Sequence, residues 1–103
     1  MQEQDVADAL AALGHEARLR VFRLLVRAGP EGLTVGEIGR HLGLAPSTLA
    51  HHLRALVGAG LVGQERRGRE TVNRADFAAL RSVLAFVDNE CCAGVDRTAD
   101  DAA

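Results

Sequence analysis

Cys91 and Cys92 stand side by side and are the two cysteines of a 103-residue chain. Neighbouring thiols offer three readings. Two adjacent sulfurs can chelate one soft centre through a small ring, since thiolates select soft acceptors and no distant segment need be ordered. They can also oxidise, as a persulfide or a strained adjacent disulfide. Or Cys91 is the last apolar residue of a helical seam and Cys92 is incidental. Distant segments cannot be stapled by such a pair, so a disulfide scaffold is excluded. The four histidines, His15, His41, His51 and His52, show no zinc-like spacing. His51 and His52 are helix neighbours whose side chains point about 100° apart. No activated nucleophile or paired carboxylate marks a catalytic centre, so no enzyme is expected.

A second group of residues suits phosphate and base edges. Arg66-Arg67-Gly68-Arg69 places three guanidinium groups within four residues, around a glycine that permits a tight turn. Such a tip can neutralise phosphates or enter a minor groove. Upstream, Ser47, Thr48, His51 and Arg54 fall on the outer face of a helix whose inner face carries Leu49, Leu53 and Leu56, with Ala50 and His52 toward the flanks. Hydroxyls, imidazoles and a guanidinium at the start of an exposed helix are donors and acceptors for major-groove base edges. A helix N-terminus also favours a nearby phosphate.

Charge is distributed accordingly. The formal net is -2, yet residues 40–74 carry six Arg against two Glu, net +4, between acidic flanks of -2 (residues 1–39) and -4 (residues 75–103). A basic middle between acidic ends implies one surface meant for phosphate. The composition, 48% hydrophobic and 25% charged, is that of a folded domain. A chain this short buries only about two-thirds of its unfolded surface, which favours a partner subunit. No apolar run approaches the roughly 18 residues needed to cross a membrane. The start, MQEQDVADAL, lacks the basic end and apolar stretch of a secretory signal, so a reducing cytoplasmic setting is expected.

The elements that must position these groups are legible from periodicity. Val6, Ala9, Leu10 and Leu13 form a helical stripe. A second helix is expected from Glu16 to Ala28, apolar around much of its circumference at Leu19, Val21, Phe22, Leu24, Leu25 and Val26, and stopped by Gly29-Pro30. Thr34 and Glu37 make a capping box for a third helix that turns Val35, Ile38 and Leu42 inward and ends at Gly43. Pro46 suits the first position of a fourth helix running to about Ala59, with Leu49, Leu53, Leu56 and Val57 on one face. The third and fourth helices with their short Gly-containing link make a helix-turn-helix. Two short strands then flank a turn at Arg67-Gly68. A last helix, from about Ala75, carries a narrow heptad-like seam of Phe77, Leu80, Leu84, Val87 and Cys91 suited to packing on another helix. The fold class is therefore mostly α with a small β-hairpin, a winged helix-turn-helix over residues 1–92. The small, acidic stretch 93–103 is expected to be disordered. A winged helix used only for protein interaction is the alternative to DNA binding.

Ala12-Leu13-Gly14-His15-Glu16-Ala17-Arg18-Leu19-Arg20-Val21-Phe22-Arg23-Leu24-Leu25, Leu33-Thr34-Val35-Gly36-Glu37-Ile38 and Ser47-Thr48-Leu49-Ala50-His51-His52-Leu53-Arg54-Ala55-Leu56, followed by Ala59-Gly60-Leu61-Val62, resemble the helices of ArsR/SmtB-type repressors. The match spans about residues 5–90. It implies a homodimer through the first and last helices, bound as a repressor to an inverted-repeat operator in double-stranded DNA. Two positions depart from the family pattern. Ala45 replaces the usual cap before the recognition helix, and Thr71, Val72 and Asn73 replace wing aromatics, which puts the rigidity of the wing in question.

The family's sensing chemistry varies by position. The soft-metal pair of one branch falls here on Thr34 and Gly36. The last-helix zinc site of another cannot be assembled from Asp76 without a histidine after His52. Cys91 and Cys92 resemble the arsenic-sensing branch with C-terminal vicinal cysteines. That likeness implies no constitutive cofactor and trivalent arsenic, inorganic or methylated, or antimony as inducer. A redox or persulfide switch at the same pair is the alternative.

Overall fold

A computed structural model describes residues 1–98 of the chain. Five helices and a small sheet follow one another: α1 (Glu3–Leu13), α2 (Glu16–Ala28), a 3-10 turn (Gly29–Glu31), β1 (Leu33–Thr34), α3 (Val35–Leu42), α4 (Pro46–Gly58), β2 (Val62–Arg67), β3 (Glu70–Ala75) and α5 (Phe77–Asp88). This is the expected winged helix-turn-helix with two added elements, the 3-10 turn and β1. The two-residue strand β1 pairs antiparallel with β3, so the sheet order is β1-β3-β2. Two residues are too few to show an alternation in sequence.

The local signals act as their chemistry requires. Glu37 N–H donates to Thr34 Oγ1 at 3.2 Å and Thr34 N–H to Glu37 Oε1 at 2.9 Å, closing the capping box of α3. Gly43 ends α3 in the left-handed region at φ 66°. The last helix begins two residues later than periodicity suggested. Ala75 completes β3, and the carboxylate of Asp76 accepts from Ala79 N–H at 2.9 Å to cap α5. The hairpin turn is Gly68-Arg69, since Arg67 pairs with Glu70, one residue beyond the expected Arg67-Gly68.

Val21, Leu25, Ile38, Leu49, Leu56 and Leu61 are fully enclosed at the centre, joined by Val6 and Ala9 from α1 and Val83 from α5. Burying them removes their apolar surface from water, about 1.5–3 kcal/mol for each large aliphatic side chain. Four apolar assignments change. Leu19, expected in the apolar set of α2, is 41% exposed. Leu10, expected in the inner stripe of α1, is 42% exposed, and Ala12 is buried instead. Val57, expected inward, is 37% exposed. The seam of α5 divides: Phe77 and Leu80 pack on the core, whereas Leu84 and Val87 are 56% and 60% exposed. Cys91 leaves the seam altogether, because α5 ends at Asp88. The expectation of disorder over 93–103 falls in part on residues 99–103, outside the described residues.

The root of the wing is held by polar contacts in place of the missing aromatics. Asn73 is fully buried; its amide donates to the carbonyls of Leu33 at 3.2 Å and Thr71 at 3.4 Å, and its Oδ1 accepts from Gln64 Nε2 at 2.8 Å. One side chain thus ties all three strands together. Gly32, at φ 69°, lies so close to this strand that a Cβ would overlap the Asn73 carbonyl oxygen. No helix among the described residues is long and apolar enough to cross a membrane.

Candidate nucleic-acid interface and thiol site

Helix α4 carries the first part of the interface. Ala45 gives its start no side-chain cap, and Pro46 occupies the first turn, where its missing N–H costs nothing. Leu49, Leu53 and Leu56 face the core, which turns Ser47, Thr48, Ala50, His51 and Arg54 to solvent. These five expected readers therefore share the open side of one helix.

His52 does not join them, and its expected place in DNA contact is corrected. It is buried, 6% exposed, with its ring centroid 5.1 Å from that of His15 and 5.7 Å from that of His51. The signal was present in the spacing: position 52 follows Leu49 by three and precedes Leu56 by four, on the apolar stripe. Among the described residues its Nδ1 has no hydrogen-bond partner, and neither has the buried Nε of Arg18. Burial holds the His52 pKa below the ordinary histidine value, and the neighbouring His15, His51 and Arg18 depress it further.

The wing carries the second part. Arg66, Arg67 and Arg69 are all exposed around the turn, but they are not equivalent. Arg66 Nε donates to the Gly68 carbonyl at 3.0 Å, which orients its remaining N–H groups. Arg67 lies 3.5 Å from Glu65. Arg74, counted in the basic segment, is a structural cation: it bonds Glu65 at 2.8 Å and the Pro30 carbonyl at 2.8 Å. The hydrogen bond from Arg74, and then the charge of Arg67, hold the Glu65 carboxyl below its ordinary pKa. The free positive charge of the wing is thus smaller than its arginine count.

Between α4 and the wing lies a groove of about 280 Å³ lined by Val35, Ala50, Leu53, Arg54, Val57, Gln64 and Thr71. Gln64 and Thr71 escaped sequence reasoning, because only the strand register reveals which side of the hairpin they occupy.

The thiol site lies at the other end of the chain. Cys91 and Cys92 are both exposed and free, with their sulfurs 3.4 Å apart. That is well beyond a disulfide bond of about 2.05 Å. Cys91 N–H bonds the Asp88 carbonyl at 3.1 Å and Ala93 N–H the Glu90 carbonyl at 3.0 Å. Glu90 and Cys92 both adopt φ 63°, a left-handed conformation that costs side-chain-bearing residues about 1–2 kcal/mol. Among the described residues no three His, Cys, Asp or Glu side chains gather as a metal site.

A family model described as a helix-turn-helix domain matches residues 13–65, which cover α2, α3, α4 and most of β2. The chain is 33% identical over 67 residues to the uncharacterized HTH-type transcriptional regulator YceK of Bacillus subtilis (strain 168), a match covering 65% of this chain and 66% of that protein, just under two thirds. A crystal structure of a possible transcriptional regulator for arsenical resistance superimposes with TM-score 0.70 at 31% identity, covering 93% of this chain and 97% of that one. The homodimeric winged helix-turn-helix DNA-binding domain Mb0332 of Mycobacterium bovis, a possible ArsR-family transcriptional regulator, gives TM-score 0.67 at 28% identity over 86% of this chain and 82% of that one. With a recognition helix and a three-stranded wing, the chain belongs to the helix-turn-helix domain family, and its winged fold is similar to that of ArsR-type transcriptional regulators.

Proposed function

We propose that this protein is a homodimeric repressor that binds an inverted-repeat operator through α4 and the wing and leaves it when a trivalent arsenical or antimonial is bound by Cys91 and Cys92. The observation that carries the trigger is the 3.4 Å approach of two exposed sulfurs just beyond α5. Both face solvent, so a soft centre reaches them without opening the core, and their separation suits two thiolates on one pyramidal centre. The chain holds no third cysteine. The third coordination position therefore falls to a small-molecule thiol, a hydroxide or a methyl group carried on the arsenic.

Dimerisation is supported by the apolar side chains that one copy leaves open. Leu84, Phe86 and Val87 of α5 are 56%, 39% and 60% exposed, and Leu10 of α1 is 42% exposed. α5 packs against α1, so both helices can contribute to one interface. The Mycobacterium bovis domain, of similar fold, is a homodimer. Two recognition helices about 34 Å apart fit successive major grooves. The thiols follow directly on the proposed interface helix, so ligation reshapes the turn at its end and changes how the copies pack. A coupling of about 3 kcal/mol weakens operator affinity more than a hundredfold.

The test is fluorescence anisotropy with a duplex from the protein's own promoter, with and without arsenite, in a phosphine reductant that does not chelate arsenic. Binding should be lost with arsenite. The Cys91→Ser, Cys92→Ser double variant should bind equally well and stay bound. Release of that variant by arsenite would discard the thiol site. Release of the unmodified protein by oxidant alone would favour the redox reading.

A further inference from the structure

Strand register sorts the charges of the wing onto opposite faces. Side chains directly paired across antiparallel strands lie on the same face, and successive residues alternate. Pairing of Gln64 with Asn73 and of Arg66 with Thr71 therefore puts these four on one face. Glu65, paired with Val72, shares the other face with Arg67, Glu70 and Arg74. Gln64 and Thr71 line the groove beside α4, so the face without a carboxylate is the one turned toward the recognition helix. Both wing carboxylates are on the far face, and the ion pairs among the described residues belong to Glu65 there.

The groove is equipped with oriented donors. Both contacts of the Asn73 amide nitrogen go to carbonyls, so its Oδ1 must be the acceptor toward Gln64. That fixes Gln64 in turn, with Nε2 held near the wing root and its second N–H left to donate. Arg54 enters from α4 with no carboxylate within ion-pair distance among the described residues, and Thr71 adds a hydroxyl. Arg66 stands across from Thr71 with its Nε already engaged by the Gly68 carbonyl, so its terminal N–H groups remain available. Arg54, an amide and a hydroxyl line the groove with no carboxylate among its lining residues, and Arg66 adds a second cation from the same face of the hairpin; together they match a tetrahedral monoanion. Charge-assisted N–H bonds to such an anion are short and strong.

We infer that the groove between α4 and the wing is a phosphodiester site, in which Arg54 from the helix and Gln64, Arg66 and Thr71 from the wing hold one backbone phosphate of the bound duplex. This rests on the DNA-binding reading above and adds a division of labour within the arginine cluster. Arg66 grips phosphate together with the recognition helix, whereas Arg67 is partly neutralised by Glu65. Because one phosphate bridges the two elements, it sets the angle at which α4 enters the major groove.

The inference is tested by salt titrations of binding to the promoter duplex and to a scrambled duplex of equal length. Arg54→Ala and Arg66→Ala should each reduce the slope of log affinity against log salt by about one, on both duplexes. Arg67→Ala should reduce it by less than half as much. Thr71→Val should weaken binding about fivefold, and that effect should vanish in the Arg54→Ala background, because the two groups share a ligand. A full Thr71→Val effect in the Arg54→Ala background, or an Arg66→Ala slope equal to that of the unmodified protein, overturns the shared site while leaving DNA binding intact. Failure of the unmodified protein to bind either duplex at low salt overturns the DNA-binding reading and this site with it.

Discussion

The imidazole of His52 packs against that of His15, ring centroids 5.1 Å apart and planes tilted by 50°, joining the middle of α4 to the cap of α2. His15 is exposed at the cap, whereas His52 is enclosed and its Nδ1 has no hydrogen-bond partner among the described residues. A proton on His52 would add charge to a buried ring that faces His15, His51 and Arg18. The folded chain resists that proton and the unfolded chain accepts it.

It follows that stability should fall as the solution is acidified. The ordinary histidine value is 6.5 and the folded-state value lies below it. Below about that pH the unfolded state binds more protons than the folded state, so stability falls until the folded-state pKa is passed. Above it, the contribution of His52 is flat. Glu37 and Glu65 also have lowered pKa values, but from an ordinary 4.5, so their losses begin at lower pH. Urea denaturation between pH 5 and 8 should show this slope for the unmodified protein, and His52→Leu should flatten it. An unchanged slope in His52→Leu would assign the effect to another group.

Replacing Gly32 should disturb the wing from its root. The residue combines φ 69° with a position where a Cβ would overlap the Asn73 carbonyl. Gly32→Ala is therefore expected to cost more than about 1 kcal/mol, the magnitude at which a compatible glycine replacement would instead stabilise. The denaturation midpoint should drop without change in the steepness of unfolding. Gly58→Ala, at a helical position with nothing within 4 Å of the added Cβ, should be neutral or stabilising.

The exposed end of α5 should control association. Leu84→Glu and Val87→Glu alter side chains that are 56% and 60% exposed in one copy, so the isolated fold should keep its helical circular dichroism. Sedimentation equilibrium should show the unmodified protein as a dimer and the double variant shifted toward monomer. A double variant with the dimer affinity of the unmodified protein would place the interface on another surface.

Most elements were legible because short-range chemistry specifies them. The Thr34–Glu37 capping box, the Gly43 stop, Pro46 at the head of α4 and the Arg-Gly-Arg turn each act within four residues of chain. The boundaries of α2 and the start of α3 follow from such signals alone. Errors concentrate where a helix has more apolar surface than the core can cover. Leu10, Val57, Leu84 and Val87 satisfy a helical period, yet periodicity does not say which of two neighbouring apolar positions is enclosed. His52 departs in the opposite direction: a polar side chain occupies the apolar stripe of α4 and is buried there.

The one-dimensional pattern by itself specified the helix-turn-helix, the hairpin, the open face of α4 and the adjacent thiols, since each rests on local spacing. Tertiary structure decided what depends on chain segments distant in sequence. Asn73 became the pin of the wing through Leu33, forty residues away, and Arg74 was drawn out of the basic surface by Glu65 and Pro30. The pairing of β2 with β3 then determined which arginines share a face with carboxylates. A one-residue slip would exchange those faces, so charge sorting is a property of the register, which only the assembled sheet can set.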